Sequence, residues 1–235
     1  MSTKTRHVVV LSGSGISAES GLATFRGREH KLMWDKYDPM EVATPEAWAR
    51  DPARVLEFYN LRRQQVRGAV PNAAHEAIAR LEEKFRVSVI TQNVDDLHER
   101  AGSSEVLHLH GQIRQGRSER DPSVVVELEE RDIHPGDTAP DGAPLRPNVV
   151  WFGEAVTAME EASWTVGGAD LLLVVGTSLT VYPAAGLATL APKEIKTYVV
   201  DPAAEALAWN LPGVTAVSAP ATEGLPPLVE KLMRD

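Results

Sequence analysis

The sequence predicts an α/β fold, a doubly wound, Rossmann-like parallel sheet with a smaller inserted module, on three observations. Four short β-branched runs, His7 to Ser12, Val87 to Thr91, Leu171 to Gly176 and Lys196 to Val200, read as strands of a buried parallel sheet. Helix-like stretches alternate with them, as crossovers between parallel strands do. Two long segments break the alternation: Arg26 to Arg67, polar and aromatic with a helix near its end, and Gly111 to Asn148, rich in proline, glycine and charge. They are expected to form the smaller module over one sheet edge, residues 26–71 and 111–149, leaving 1–25, 72–110 and 150–235 to the sheet.

The first strand feeds into Gly13-Ser14-Gly15-Ile16-Ser17-Ala18, a G-x-G-x-x-G/A pattern at a strand-to-helix junction. Glycines there let backbone amides approach a pyrophosphate; the plainer reading is an ordinary glycine turn. A dehydrogenase would continue to a second strand ending in an acidic residue about 20 residues on. Here the next convincing strand waits until Val87, which disfavours hydride transfer and not nucleotide binding. Before it, Asn72 caps a helix running to about Lys84, with Ala74, Ile78 and Leu81 at helical spacing.

The second strand ends in Gln92-Asn93-Val94-Asp95-Asp96, at the carboxyl edge where open α/β sheets bind ligands. Asp95 or Asp96 alone would suit a helix cap. In Val106-Leu107-His108-Leu109-His110-Gly111 the strand period puts His108 and His110 on one face, open to packing, metal binding or general-base readings. The metal ranks lowest, because no further ligand set accompanies the pair. Val124 to Leu128 suits a strand, and Arg131 to Asn148 reads mainly as turns and loop.

Over 235 residues the formal net charge is -9 and no basic groove is apparent, so nucleic acid is not expected as a ligand. No apolar run is long enough for a membrane span or signal core, and a cytoplasmic location is expected. Cysteine is absent, which removes thiolate nucleophiles and cysteine-rich zinc sites.

Taken in order, Gly13 to Gly21, Phe25-Arg26, Thr91-Gln92-Asn93-Val94-Asp95, His110-Gly111, Val150-Trp151-Phe152-Gly153-Glu154 and Gly176-Thr177-Ser178 resemble the sirtuin family over nearly the whole chain. The resemblance implies an NAD-dependent protein deacylase, with NAD and an acylated lysine entering a cleft between the two parts from opposite sides. It places Gly13, Ser14, Gly15, Ile16, Ala18, Glu19, Thr24, Phe25 and Arg26 at the pyrophosphate and ribose. Gln92, Asn93, Val94 and Asp95 fall at the nicotinamide ribose and carboxamide, and Gly176, Thr177 and Ser178 at the adenosine. Val199 aligns where the family often has an asparagine, leaving Asp201 as the polar candidate there, and Ala221 falls beside the adenine. Asn93 and His110 become the catalytic pair, His110 as general base. Val150, Phe152, Gly153 and Glu154, with the loop Ser178 to Tyr182, match the edges between which a substrate peptide lies as an added strand; Trp151 and Phe152 taken alone suit a core equally well.

Two details refine the expectation. The family usually carries four zinc-binding cysteines in the segment matching Gly111 to Asn148; none is present, and His134, Asp137 and Asp141 cannot replace a thiolate site, so no zinc is expected. Tyr59 and Arg62 share a face of a helix whose stripe is Val55, Phe58, Tyr59, Arg62 and Val66. Tyr59-Asn60-Leu61-Arg62 resembles the motif of sirtuins that accept acidic acyl-lysines, so succinyl and malonyl groups are expected beside acetyl; without it, Arg62 would simply reach solvent beside Arg63. The rival readings are ADP-ribosyl transfer, NAD hydrolysis, or an inactive NAD-binding regulator.

Overall fold

The computed structural model describes residues 5–24, 37–208 and 213–235. Three strands, β1 (His7–Ser12), β2 (Arg86–Thr91) and β3 (Val106–His108), precede β4 (Gly111–Ser118), β5 (Val125–Glu127) and β6 (Leu145–Val149), and three more follow, β7 (Leu171–Val175), β8 (Lys196–Val200) and β9 (Val214–Val217). The first and last trios form one sheet, ordered β3-β2-β1-β7-β8-β9, with every pair parallel. The chain runs outward from β1 to β3, then returns to β7 on the other side of β1. That reversal opens a crevice at the carboxyl ends of β1 and β7, where ligands of such sheets bind.

All four sheet strands read from the sequence are present, with small shifts at their ends. β7 stops at Val175 because Gly176 takes a left-handed φ of 57°. A side chain on Gly176 would overlap the Ile16 backbone nitrogen, so this glycine lets the loops after β1 and β7 interlock, with Gly15 N donating to Gly176 O at 2.8 Å. β3, short, and β9, half-buried, complete the sheet; β9 carries too weak a pattern to read from sequence.

Helices α1 (Pro39–Val42), α2 (Pro45–Arg50) and α3 (Pro52–Gly68) each start with proline behind a capping side chain, Asp38, Thr44 and Asp51. Proline is preorganised for the first helical position, and the cap oxygen takes an otherwise orphaned amide. Asn72 caps α4 (Ala73–Arg80) as expected, and a 3₁₀ turn (Leu81–Glu83) completes the segment. The same Asn72 amide donates to Ile16 O and Ser20 Oγ, tying α4 to the glycine turn. The short α5 (Leu97–Arg100) follows β2; α6 (Met159–Gly167), α7 (Ala204–Ala208) and α8 (Ala221–Arg234) lie in the carboxyl-terminal half.

The stretch expected as turns, Arg131 to Asn148, holds all but the last residue of β6, and β4 precedes it; with β5 they form an antiparallel sheet, β5-β4-β6. The Val106 to Gly111 run also splits. β3 ends at His108, and Gly111, with φ 79°, opens β4 of the other sheet, so the two histidines are not related by a strand period.

Without cysteines, this module is held by an apolar core and a buried cation. Ile113, Leu128, Ile133, Ala139 and Leu145 pack with Val55, Leu56, Phe58, Tyr59 and Val66 of α3. Arg63, fully buried, donates from Nε to Ile113 O at 2.8 Å and from Nη1 to Asn60 Oδ1 at 2.5 Å, and lies 3.7 Å from Asp132. Asn60 Nδ2 donates to Ile133 O, and Gln64 and Arg67 both reach Asp132. Arg63→Met is expected to leave these acceptors short of a charged donor and cost about 2–3 kcal/mol. Thermal unfolding should show a Tm fall of roughly 4–12 °C at this chain length. An unchanged Tm would remove Arg63 from this role.

Candidate active site

A cleft of about 960 Å³ opens between the parallel sheet and the small module. It lies at the upper end of the range of about 300–1,000 Å³ for ligand pockets. One wall is the glycine turn, Gly13 to Gly15 with Ala18, Glu19 and Thr24; beside it lie Gly176 to Ser178, Asp201 and Ala221. The floor carries Gln92, Asn93, Val94, Asp95 and His110, and the far wall Tyr59, Arg62 and Val150 to Glu154.

The loop after β2 is held by side chains from several elements. Gln92 Nε2 donates to Thr177 Oγ1 at 2.9 Å, bridging to the β7 loop. Asn93 is buried, its amide nitrogen donating to Ser17 Oγ at 3.1 Å, while Ser17 donates to Asp95 Oδ2 at 3.0 Å. Asp95 Oδ1 also accepts from Leu97 N, the first residue of α5, whose N-cap position is Asp96 without a side-chain cap bond. Burial pushes the Asp95 carboxyl up, against the pull of those two donors.

Below the loop are two histidines that the sequence reading did not single out. His75 and His98 meet edge-on at 5.0 Å, both buried. Ser12 donates to Thr91 Oγ1, so it accepts from His98 Nε2 at 2.9 Å; Thr91 Oγ1 in turn accepts from Asn93 N. Burial holds His98 at about 3 and His75 at about 4, both neutral.

His110 lies between β3 and β4. Its Nδ1 donates to Gln92 O at 3.0 Å, which leaves Nε2 as the unprotonated nitrogen of a neutral ring lining the cleft. Burial lowers its pKa, partly offset by the Gln92 carbonyl. Its own carbonyl accepts from Val150 N at 2.9 Å, so the imidazole and the Val150 to Glu154 segment are positioned together.

A profile described as the Sir2 family matches residues 13–183. An NAD-dependent protein deacylase of Helicobacter pylori (strain ATCC 700392 / 26695) is 49% identical over 229 residues, covering 97% of this chain and 98% of that one. The chain belongs to the Sir2 family. A solved Sir2 homolog–NAD complex superposes with a TM-score of 0.84 at 37% identity, covering 98% of this chain and 91% of the other. A complex described as "Sir2-p53 peptide-NAD+" gives 0.80 at 30% identity, covering 99% and 95%.

Within this Sir2 chain, the residues expected at the site converge on one cleft with few exceptions. Phe25 and Arg26 lie outside the described residues. Ile16 is fully buried in the core beneath the turn and does not line the cleft. Val199 likewise faces the core, whereas Asp201, at the end of β8, lines the cleft. The Glu19 carboxylate accepts from Thr222 N and Oγ1 and so secures the start of α8.

Glu154, expected on the substrate side, lines the cleft while its carboxylate is held within the far wall. Its carboxylate accepts from Arg146 at 2.7 Å, Arg117 at 3.2 Å and Trp151 N at 2.8 Å, fixing the turn of the far wall. Arg146, missed in the sequence, also stacks 3.2 Å from the Trp151 ring centroid. Its only sequence signal is a charged residue beside Leu145 in a short segment that ends in Val149-Val150-Trp151. Trp151 is core, as its aromatic character allowed, and Phe152 is exposed at the cleft.

Tyr59 is buried and burial pushes its hydroxyl up to about 12, so it stays protonated and can donate. Arg62 lines the cleft half-buried, its Cζ 6.0 Å from the Phe58 ring centroid, while Arg63 beside it turns into the core. Burial lowers the Arg62 pKa, opposed by Tyr59 and Asp95. Among the described residues, no group of three or more histidines and carboxylates is placed to hold a metal ion. No described helix is long and apolar enough to cross a membrane.

Proposed function

We propose that this Sir2-family chain is an NAD-dependent protein-lysine deacylase that accepts acidic acyl groups as well as acetyl. The observation that carries the deacylase reading is the neutral His110, held by Gln92 O and backbone-bonded to Val150 between the nucleotide-side loop and the far wall. The buried polar set around Gln92, Asn93 and Asp95 suits a carboxamide and ribose hydroxyls, and the glycine turn offers backbone amides to a pyrophosphate. NAD supplies a ribose carbon that accepts the acyl oxygen as nicotinamide leaves, and a ribose hydroxyl that takes over the acyl group.

The chain's part is positioning and proton transfer. His110 Nε2 takes a proton from the ribose hydroxyls, work suited to an imidazole neutral near pH 7. Val150 and Phe152 to Glu154 line the peptide side, together with the loop Ser178 to Tyr182, and main-chain pairing there would tolerate many substrate sequences. With one water consumed as the amine is released, the products are the free lysine, nicotinamide and O-acyl-ADP-ribose. Incubation with NAD and an acyl-lysine peptide, read by mass, is expected to yield O-acyl-ADP-ribose. Free ADP-ribose alone, or ADP-ribosylated protein, would overturn the deacylase assignment. Acylated proteins as partners, without nucleic acid or membrane, and a cytoplasmic location belong to the same proposal.

The acyl preference rests on Tyr59 and Arg62 lining the same wall. A carboxylate entering there meets a guanidinium and a protonated phenol, and charge-assisted hydrogen bonds contribute about 1.5–3 kcal/mol. Arg62→Met is therefore expected to lower kcat/KM for succinyl- and malonyl-lysine peptides about 10- to 150-fold, and to affect acetyl-lysine far less. Equal losses on all three substrates would defeat this assignment.

A further inference from the structure

His108 is not needed by the mechanism above, yet it is among the most constrained side chains near the cleft. It ends β3, paired in register with Thr91 of β2, and its side chain is only 4% exposed. Its two ring nitrogens both face pure acceptors: Nδ1 lies 2.9 Å from Asn93 O, and Nε2 lies 2.7 Å from Glu99 Oε1. Neither acceptor has a proton to give, so both contacts are hydrogen bonds only when both nitrogens carry hydrogen. A ring that satisfies both is an imidazolium.

His110 makes a useful contrast. It takes the neighbouring carbonyl, Gln92 O, through Nδ1, and among the described residues no carboxylate is hydrogen-bonded to its Nε2. Two histidines, two residues apart, therefore grip consecutive carbonyls of one loop, one as a neutral base and one as a cation. Environment sets the division, as with paired titratable groups in other active sites.

We infer that His108 is a positioning residue, a doubly hydrogen-bonded cation that clamps the Asn93 backbone to Glu99 and so sets the alkaline limit of the reaction. Deprotonation leaves the ring one donor for two acceptors, and either the Asn93 carbonyl or Glu99 is released. Asn93 is the side chain expected at the reacting ribose, and a small displacement there is costly. The charged and titratable groups acting on His108 agree with this. Burial opposes its charge, but the Glu99 carboxylate on α5, the Asn93 carbonyl and Asp95 in the loop outweigh it and hold the ring above the ordinary histidine range. His98, also on α5, stays neutral beside it.

The inference rests on the deacylase reading for its rate effects but not for its proton placement, so two measurements separate them. In the first, the pH dependence of kcat is followed with NAD and an acetyl-lysine peptide. Wild type is expected to lose activity on the alkaline side, above the ordinary histidine value of about 6.5. Glu99→Gln keeps an acceptor but removes the charge, and should move that limb down by about one pH unit or more. His108→Gln should lower kcat about 10- to 100-fold with little change in KM, and abolish the limb. A wild-type profile in either variant would overturn the inference, whereas a merely structural role would change the Tm without moving the limb. In the second, ¹⁵N NMR of the His108 ring in the free protein is expected to show both nitrogens protonated at pH 7. A neutral ring there would overturn the inference whatever the activity. Failure of every acyl peptide to react, with His108 doubly protonated, would instead count against the deacylase reading.

Discussion

His110→Ala is expected to slow deacylation about 10²- to 10⁴-fold, the contribution of a positioned general base, while NAD binding is largely preserved. The variant removes the Nδ1 bond to Gln92 O, but the His110 backbone bond to Val150 remains, so the far wall keeps its anchor. Kinetics measured beside thermal unfolding decide the matter. A histidine that only packs would give a less stable protein with normal turnover in its folded fraction. The pH profile adds a sign. Because burial lowers the His110 pKa, the ring stays neutral to lower pH than an ordinary histidine, and the acid limb of kcat/KM should fall below 6.5. An acid limb above that value would contradict the base assignment.

Acid should destabilise the fold through the two histidines beneath the loop. His75 and His98 stay neutral in the folded chain down to about 4 and about 3, against an ordinary 6.5. As pH falls through 6.5 the unfolded chain takes up protons that the folded chain refuses. Stability is therefore complete above that pH and is lost as it drops towards 4. Each refused proton costs up to about 1.4 kcal/mol per pH unit, and because the unfolded histidines are half protonated at 6.5 the pair removes about 3 kcal/mol between pH 6.5 and 5. His7 and His110, also lowered, act in the same direction, and the raised His108 contributes fully throughout this window. Denaturant unfolding across these pH values should show a slope that His75→Gln reduces by about one proton. A slope unchanged by that substitution would mean that His75 takes up its proton in the folded state.

Much of this molecule is legible in one dimension because the physics that places it is local. The runs at Val8, Val87, Leu171 and Lys196 are strands because they can only be buried on both faces of a sheet. Asn72 announces α4 because its side chain caps the amides of the first turn. The glycine turn, Gln92 to Asp95 and His110 are legible as a set, and all lie at the carboxyl edge of that sheet. The prolines at 39, 45 and 52, each behind a capping residue, carried an equally local signal for α1 to α3.

What the tertiary structure alone decided are the partners of side chains far apart in the chain. His108 and His110 look alike on a strand period, yet Gly111 turns the chain into a second sheet. Glu99, nine residues away, with the Asn93 carbonyl and Asp95, favours the cation in one of them. Arg63 reads as a solvated neighbour of Arg62 until Ile113 and Asp132, from the module folded over α3, close around it. Glu154 reads from sequence only as a substrate-side residue, and that Arg117 and Arg146 hold its carboxylate is set by the fold. Composition and spacing report which groups can ionise or donate. Which proton each group holds depends on desolvation and on charges a few ångströms away, and those distances exist only in the folded chain.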